Sequence, residues 1–282
     1  MPLRSLVDTH RLSIGRLVVA ETHAIRREAL DKIRRQWPSS LSAKPAAWEM
    51  RATAPHVVSR IVDTLRERLD ASTKRLAHRA AAESLRLFDH ASKARGDVAP
   101  PSPPPEPQPT YDGTAARDQA LRRLATRLIV DLEACFAKSA AEGHSPNRAM
   151  LAAAGPTGAL AGGASFVNLI TRTELMTAIN QAIQRTTVAL SLVVPDMRRL
   201  IVSTFDEKTA PDSIFVHGEL RRVDEPFIDG AGRVYLVPPA RPNDREIILP
   251  WRASWPVPSW GKPKPDEERE AAWHNAHPLR LT

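Results

Sequence analysis

A single cysteine, Cys135, among 282 residues rules out an intramolecular disulfide and fits a reducing compartment. It falls on the apolar side of a predicted helix, which reads as a small buried hydrophobe rather than a nucleophile. Aromatic residues make up only 5% of the chain, and Ala and Leu dominate its apolar set, so helices are favoured over a β-sandwich. No apolar run approaches the roughly 18–20 residues of a membrane-spanning helix. The opening residues lack the continuous apolar core of a signal peptide, and the expectation is a soluble, intracellular product. Signatures of catalysis are missing too: there is no HExxH, no GxSxG, no GxGxxG and no P-loop.

Positive charge is plentiful and unevenly placed. The net charge is +8; through Arg95 the chain carries 19 Lys+Arg against 10 Asp+Glu, and beyond it 21 against 22. The excess therefore sits on the first third, where it reads either as a surface for a polyanion such as nucleic acid or as a solvated helical face. Residues 13–35 read as a basic helix stopped by Trp37-Pro38, and a polar loop follows. Pro55 suits the first turn of a long helix to about residue 94. There Val58, Ile61, Leu65, Leu69, Leu76 and Leu87 recur at helical period between Arg60, Arg66, Arg68, Lys74, Arg75, Arg79 and Arg86. Such a helix would span roughly 60 Å and suits an extended hairpin or coiled coil.

Seven prolines in residues 99–109 can form neither helix nor central strand and read as a spacer. A second helix is expected from Thr114 to about Glu142, with Leu121, Leu124, Leu128, Ile129, Leu132 and Phe136 on one face. The small residues of 152–164 read as a flexible segment. Ser165 then caps a helix from Phe166 to about Leu190 that carries Arg172, Thr173, Glu174, Asn180 and Gln184. Polar groups so close to an apolar stripe require partners on other elements. Beyond Pro195 the period changes to short β-favouring runs (RRLIVSTF, ELRRV, RVYLV, REIIL) separated by turns at DEKTAPD, DEPFIDGAG and PPARPND. The fold class expected is α+β: long N-terminal helices in an extended hairpin or bundle, then a small C-terminal β-rich module and an irregular tail. The segments are a basic helical arm at 1–98, a Pro-rich linker at 99–113, a helical region at 114–194, the β-rich module at 195–252 and a Pro/Trp-rich tail at 253–282. The tail has no obvious regular element, and its tryptophans, Trp255, Trp260 and Trp273, read as anchors onto another surface.

Over residues 165–252 the order of features resembles the phage head morphogenesis family, the Mu F-like minor head proteins. The motifs that carry the resemblance begin with Arg172-Thr173-Glu174 followed by Asn180, then Asp206-Glu207-Lys208-Thr209. Next come His217-Gly218-Glu219-Leu220 and Asp224-Glu225-Pro226-Phe227. The run from Pro238 through Pro242-Asn243-Asp244-Arg245-Glu246 closes the series, ahead of Ile247-Ile248-Leu249-Pro250. Many family members carry cysteine and histidine pairs that look like a metal site. Here those positions are Ala210, Ser213, Arg241, Asp244 and Glu246, a set with no thiolate, so no metal and no cofactor are expected. Ion pairs of Arg241 and Arg245 with Asp244, Glu246 and Asp206 are the expected replacement.

The resemblance implies a minor head protein of a tailed phage or prophage, inside the capsid near the portal and made in the host cytoplasm. It would assist head assembly and DNA packaging or delivery, as a structural protein rather than an enzyme. Its implied partners are the portal or major capsid protein, phage DNA bound non-specifically, and other copies of itself; no membrane is implied in the mature head. Arg60, Arg66, Arg68, Lys74, Arg75, Arg79 and Arg86 are the candidate phosphate contacts. Two alternatives stay open: an enzyme, nuclease-like or ADP-ribosyl-transferring, on the C-terminal module, and a host chromosome-binding protein. For the enzyme the candidates are Arg172, Glu174 and His217. The structural expectation for His217 is a solvent-exposed turn residue, and His274 and His277 read as inert tail residues.

Overall fold

The structure is a computed structural model, described for residues 47–97, 114–144, 146–155, 157–203, 210–242 and 244–269. The basic helix expected at 13–35, the Pro-rich linker, and the tail residues Trp273, His274 and His277 lie outside the described residues. The fold is mixed, as the periodicity predicts: long helices come first and a small antiparallel sheet module lies toward the C-terminus. Helix α1 spans Ala47–Ala94, α2 Thr114–Ala141, α3 Pro146–Ala154 and α4 Ala159–Ser191. Strand β1 is Met197–Val202, helix α5 Pro211–Val216, β2 Leu220–Arg221, β3 Phe227–Ile228, β4 Val234–Tyr235 and β5 Ile247–Arg252.

These elements form two compact units, each drawn from separated stretches of chain. The helical unit takes α1 through Ser72, then α2, α3 and α4 through Glu174. Val58, Ile61, Leu65 and Leu69 of α1 share its core with Leu121, Leu124, Leu128, Leu132 and Phe136 of α2. Ala149 and Ala153 of α3 join them, with Leu160, Val167 and Ile170 of α4. The positions on α1 and α2, and Ile170 on α4, are those read from the sequence; burying this set is what holds the helices, since neither long helix is apolar all round. At the rim the buried Arg117 pairs with Asp70, and Arg66 lies 3.6 Å from Asp118. Cys135 is half-buried against this core, and burial pushes its thiol above the usual range, in keeping with a packing role.

Three local expectations are corrected here. Helix α1 begins at Ala47, so Pro55 sits inside it and not in its first turn. The buried Ala54 and Val58 on either side hold the helix through a residue that has no N–H to donate. Nor is the small-residue segment 152–164 a flexible connector: it ends α3 and opens α4, which starts at Ala159, so Ser165 is no cap. Alanine is the best helix former, and the turn between the two helices needs glycine, because a Cβ on Gly158 would lie 2.2 Å from the Ala152 carbonyl oxygen.

The second unit takes α1 from Thr73 and the chain from Leu175 onward. Its sheet has the order β2-β1-β5, antiparallel throughout, with Leu200 opposite both Leu220 and Leu249. The runs Leu200-Ile201-Val202 and Ile247-Ile248-Leu249 are continuous and not alternating, and every residue in them is buried. A sheet covered on both faces explains this pattern. Successive side chains point to opposite faces: Arg199 reaches Gln184 of α4, while Leu200 packs beside Gly261 of a single 3-10 turn, Ser259–Gly261. A separate ribbon, β3–β4, pairs Phe227 with Tyr235 on its inner side and the exposed Ile228 with Val234 on its outer side.

Two turns expected from sequence are partly regular. The segment DEKTAPD leads into α5, where Pro211 starts the helix, and DEPFIDGAG contains β3. The tail is less irregular than expected. Trp255 is buried, stacks on Phe88 of α1 at 5.2 Å and meets Trp251 edge-on at 5.4 Å. Its indole N–H donates to Asp97 at 2.7 Å, and the Arg95 guanidinium lies over its ring at 4.8 Å. The anchoring role expected of the tail tryptophans is thus filled by Trp255 within the same unit.

Candidate functional site

Polar side chains within the sheet-bearing unit form three connected fasteners. The first is Asn180. Its position on α4 faces the start of β5, where its amide nitrogen donates to the Glu246 carbonyl at 2.9 Å. Its amide oxygen accepts from the Ile248 N–H at 3.0 Å. One side chain therefore supplies a donor and an acceptor spaced like those of a peptide unit, and it pairs with β5 as a further strand would. Asn180 is completely buried, so these bonds are obligatory. Three hydroxyls on the same helix bond within it: Thr173 donates to the Leu169 carbonyl at 2.8 Å, Thr186 to Ala182 at 3.0 Å and Thr187 to Ile183 at 2.8 Å.

Arg199 is the second fastener, and sequence reasoning missed it. It lies in the middle of β1 and is fully buried. Its guanidinium donates to the Arg222 carbonyl at 2.7 and 3.1 Å, to Gln184 Oε1 at 3.2 Å, and to the carbonyls of Glu225 and Leu236. Phe227 lies beneath it, 4.9 Å from the ring centre. Burial lowers its pKa to about 10, against the opposing pull of Asp224 and Glu225, which leaves it charged at neutral pH. A planar fork of donors can tie three separated loop carbonyls to one helix amide, whereas a lysine has one nitrogen to offer. The signal available in sequence was an arginine inside the β-favouring run RRLIVSTF, to which no role was assigned.

The third is a carboxylate cluster built from the positions where the resemblance puts metal ligands. Ser213 Oγ donates to Asp244 at 3.3 Å and accepts from Arg241 at 2.9 Å. Arg241 pairs with Asp212 at 2.9 Å, and Asp212 also takes Arg233 at 2.8 Å. Asp244 accepts further bonds from the N–H groups of Ala240 and Arg245 at 3.3 and 3.0 Å. Tyr235 donates its hydroxyl to Glu246 at 2.9 Å. Both carboxylates are buried. Burial, and after it the Asp244 charge, raises Glu246 to about 7 against the hydrogen bond from Tyr235. Burial likewise raises Asp244, opposed mainly by Arg241. Burial and the Glu246 carboxylate hold the Tyr235 phenol well above its usual range, so it remains a donor. The expected replacement of a metal by ion pairs needs one correction: Arg241 makes its direct pair with Asp212, and reaches Asp244 through Ser213.

The remaining candidates fall as follows. His217 is buried, contrary to the expectation of a solvent-exposed turn residue. Its Nδ1 accepts the Ser203 N–H at 3.1 Å, which ties the end of β1 to the turn after α5 and leaves that nitrogen without a proton. Gly218 follows with φ +81°, and a Cβ there would lie 2.4 Å from the Gly261 carbonyl oxygen. Phe227 is buried, while Pro226 and Pro242 are exposed. Asp206, Thr209 and Asn243 lie outside the described residues. Arg172 is half-buried and Glu174 buried, and both are engaged with partners. On one helix, two residues apart, they point about 200° from each other around the axis. Among the described residues no group of three His, Cys, Asp or Glu is placed to hold a metal ion. No described helix is long and apolar enough to cross a membrane.

No family model, curated protein or solved structure matches the chain. The functional reading accordingly rests on the motifs and on what the folded unit does with them. Of the candidate phosphate contacts, Arg68, Lys74, Arg75, Arg79 and Arg86 are exposed on α1, and Arg66 is half-buried beside Asp63 and Asp118. Arg60 lies on the same helix. Arg75, Arg79, Arg86 and Lys93 recur at four- and seven-residue steps, within about 40° of one line along the helix over about 27 Å. Arg86 lies 3.0 Å from Glu83 and Lys93 2.7 Å from Asp89, and Arg75 is also engaged with a partner.

Proposed function

We propose that this chain is a minor head protein of a tailed phage or prophage. It acts inside the capsid near the portal, in head assembly and DNA packaging or delivery, with a structural role. Its partners are the portal or major capsid protein and phage DNA, and it can self-associate. The observation that carries the reading is the convergence of motif pieces that are far apart in sequence. Ser213, Arg241, Asp244 and Glu246 meet in one hydrogen-bonded cluster, and Asn180 of the Arg-Thr-Glu helix binds the backbone on both sides of Ile247, where β5 begins.

The polar residues of this unit are spent on holding it together. Asn180, Arg199, His217, Asp244 and Glu246 are buried and hydrogen-bonded to neighbours, as suits a docking module. The exposed cations of α1 supply the DNA contact. A line of side chains on one helix reaches phosphates and reads no base edges, so binding is non-specific and falls steeply with salt. Fractionation of particles from a strain encoding the chain tests the proposal. The protein co-purifies with filled heads at a few copies each; recovery solely as a free cytosolic protein would reject it.

A further inference from the structure

Helix α2 offers a different surface, to which the sequence reading assigned nothing. Gln119, Arg123, Thr126 and Val130 line a shallow open groove along its outer side, with Arg122 on one flank and Arg127 beside Asp131 on the other. At 100° per residue, Arg122 stands about 80° to one side of Val130, and Arg127 about 60° to the other. All three arginines are exposed. Among the described residues no carboxylate is paired with Arg122 or Arg123, and Arg127 has only a loose 3.7 Å contact to Asp131. The opposite face of α2, Leu121 to Phe136, is locked into the helical core, so the arginines project from a fixed support.

We propose that this groove is a second phosphate track for duplex DNA. Guanidinium forks match phosphate oxygens in pairs, and two flanks of positive charge about one helix-width apart suit a polyanionic strand lying between them. A protein partner would want a broader apolar floor than the single exposed Val130. The proposal rests on the DNA-contact part of the function given above, adding a site on another helix.

The test uses the full chain, a labelled 20-bp duplex and salt from 50 to 200 mM. R122A/R123A removes two phosphate contacts. The slope of log K against log salt should become less steep by about 1.8, and affinity at 50 mM should fall about tenfold or more. R122K/R123K keeps the charge and should keep the slope, with unchanged helical circular dichroism in both variants. R75A/R79A/R86A is run beside them. If that α1 variant loses affinity while R122A/R123A matches wild type, the α2 track is wrong and the α1 reading stands. If neither variant differs from wild type, both are wrong. Wild-type DNA binding by R122A/R123A with lost retention on immobilised poly-glutamate would reassign the face to an acidic protein surface and overturn the proposal.

Discussion

Replacing Glu246 by Gln should stabilise the sheet-bearing unit at pH 8 and do little at pH 4. Glu246 lies 2% exposed beside Asp244, and its carboxyl is raised to about 7. A carboxyl whose folded pKa exceeds its unfolded value of about 4.3 binds more protons folded than unfolded between those two values. Stability therefore falls as pH rises from about 4 to about 7, and above that the full cost of the buried charge is present. A gap of roughly two and a half units corresponds to about 3 kcal/mol at 1.36 kcal/mol per unit. Gln keeps the shape, and its amide oxygen can still accept the Tyr235 hydroxyl, now 2.9 Å from Glu246. E246Q should recover about 3 kcal/mol at pH 8, about 1 kcal/mol at pH 5 and less than about 0.5 kcal/mol at pH 4. Urea unfolding followed by tryptophan fluorescence reads the effect, because the buried Trp251 and Trp255 belong to the same unit. A destabilised E246Q at pH 8, or an equal shift at pH 8 and pH 4, would refute the argument that the charge is held at a cost.

Three other substitutions test two of the fasteners and the tight turn at Gly218. Asn180→Ala leaves the Glu246 carbonyl and the Ile248 N–H buried without partners and should cost about 2–4 kcal/mol in the same urea assay. Arg199→Lys keeps the charge but cannot bridge Arg222, Glu225, Leu236 and Gln184 at once; a loss of about 2 kcal/mol or more is expected. Thermal melts of that variant at neutral pH check it. Gly218→Ala brings a Cβ against the Gly261 carbonyl oxygen in a left-handed backbone conformation, and should lower stability by about 2 kcal/mol or more, measured by urea unfolding.

The long helices were legible because burial there follows a period that the residues themselves display. Val58, Ile61, Leu65 and Leu69 need nothing beyond a 3.6-residue repeat to be placed inside. Strands β1 and β5 were legible as continuous β-branched runs. Less visible was anything decided by a distant partner. Arg199 and His217 look like surface residues until the carbonyls and the N–H that enclose them are known. Helices α3 and the start of α4 were hidden because Ala and Gly mark both flexible chain and close helix packing, and only the neighbours decide between them. The motif residues differ again: their types and order were readable, but their meeting around Ser213 depends on how the turns between α5 and β5 close.

Crosslinking within purified filled heads, with the attached peptides identified by mass spectrometry, tests the central claim most directly. DNA should attach to peptides covering 75–93, while portal or shell protein attaches to peptides from 197–255. Filled heads that contain the protein with no DNA adduct on α1, or that lack the protein altogether, would contradict the account.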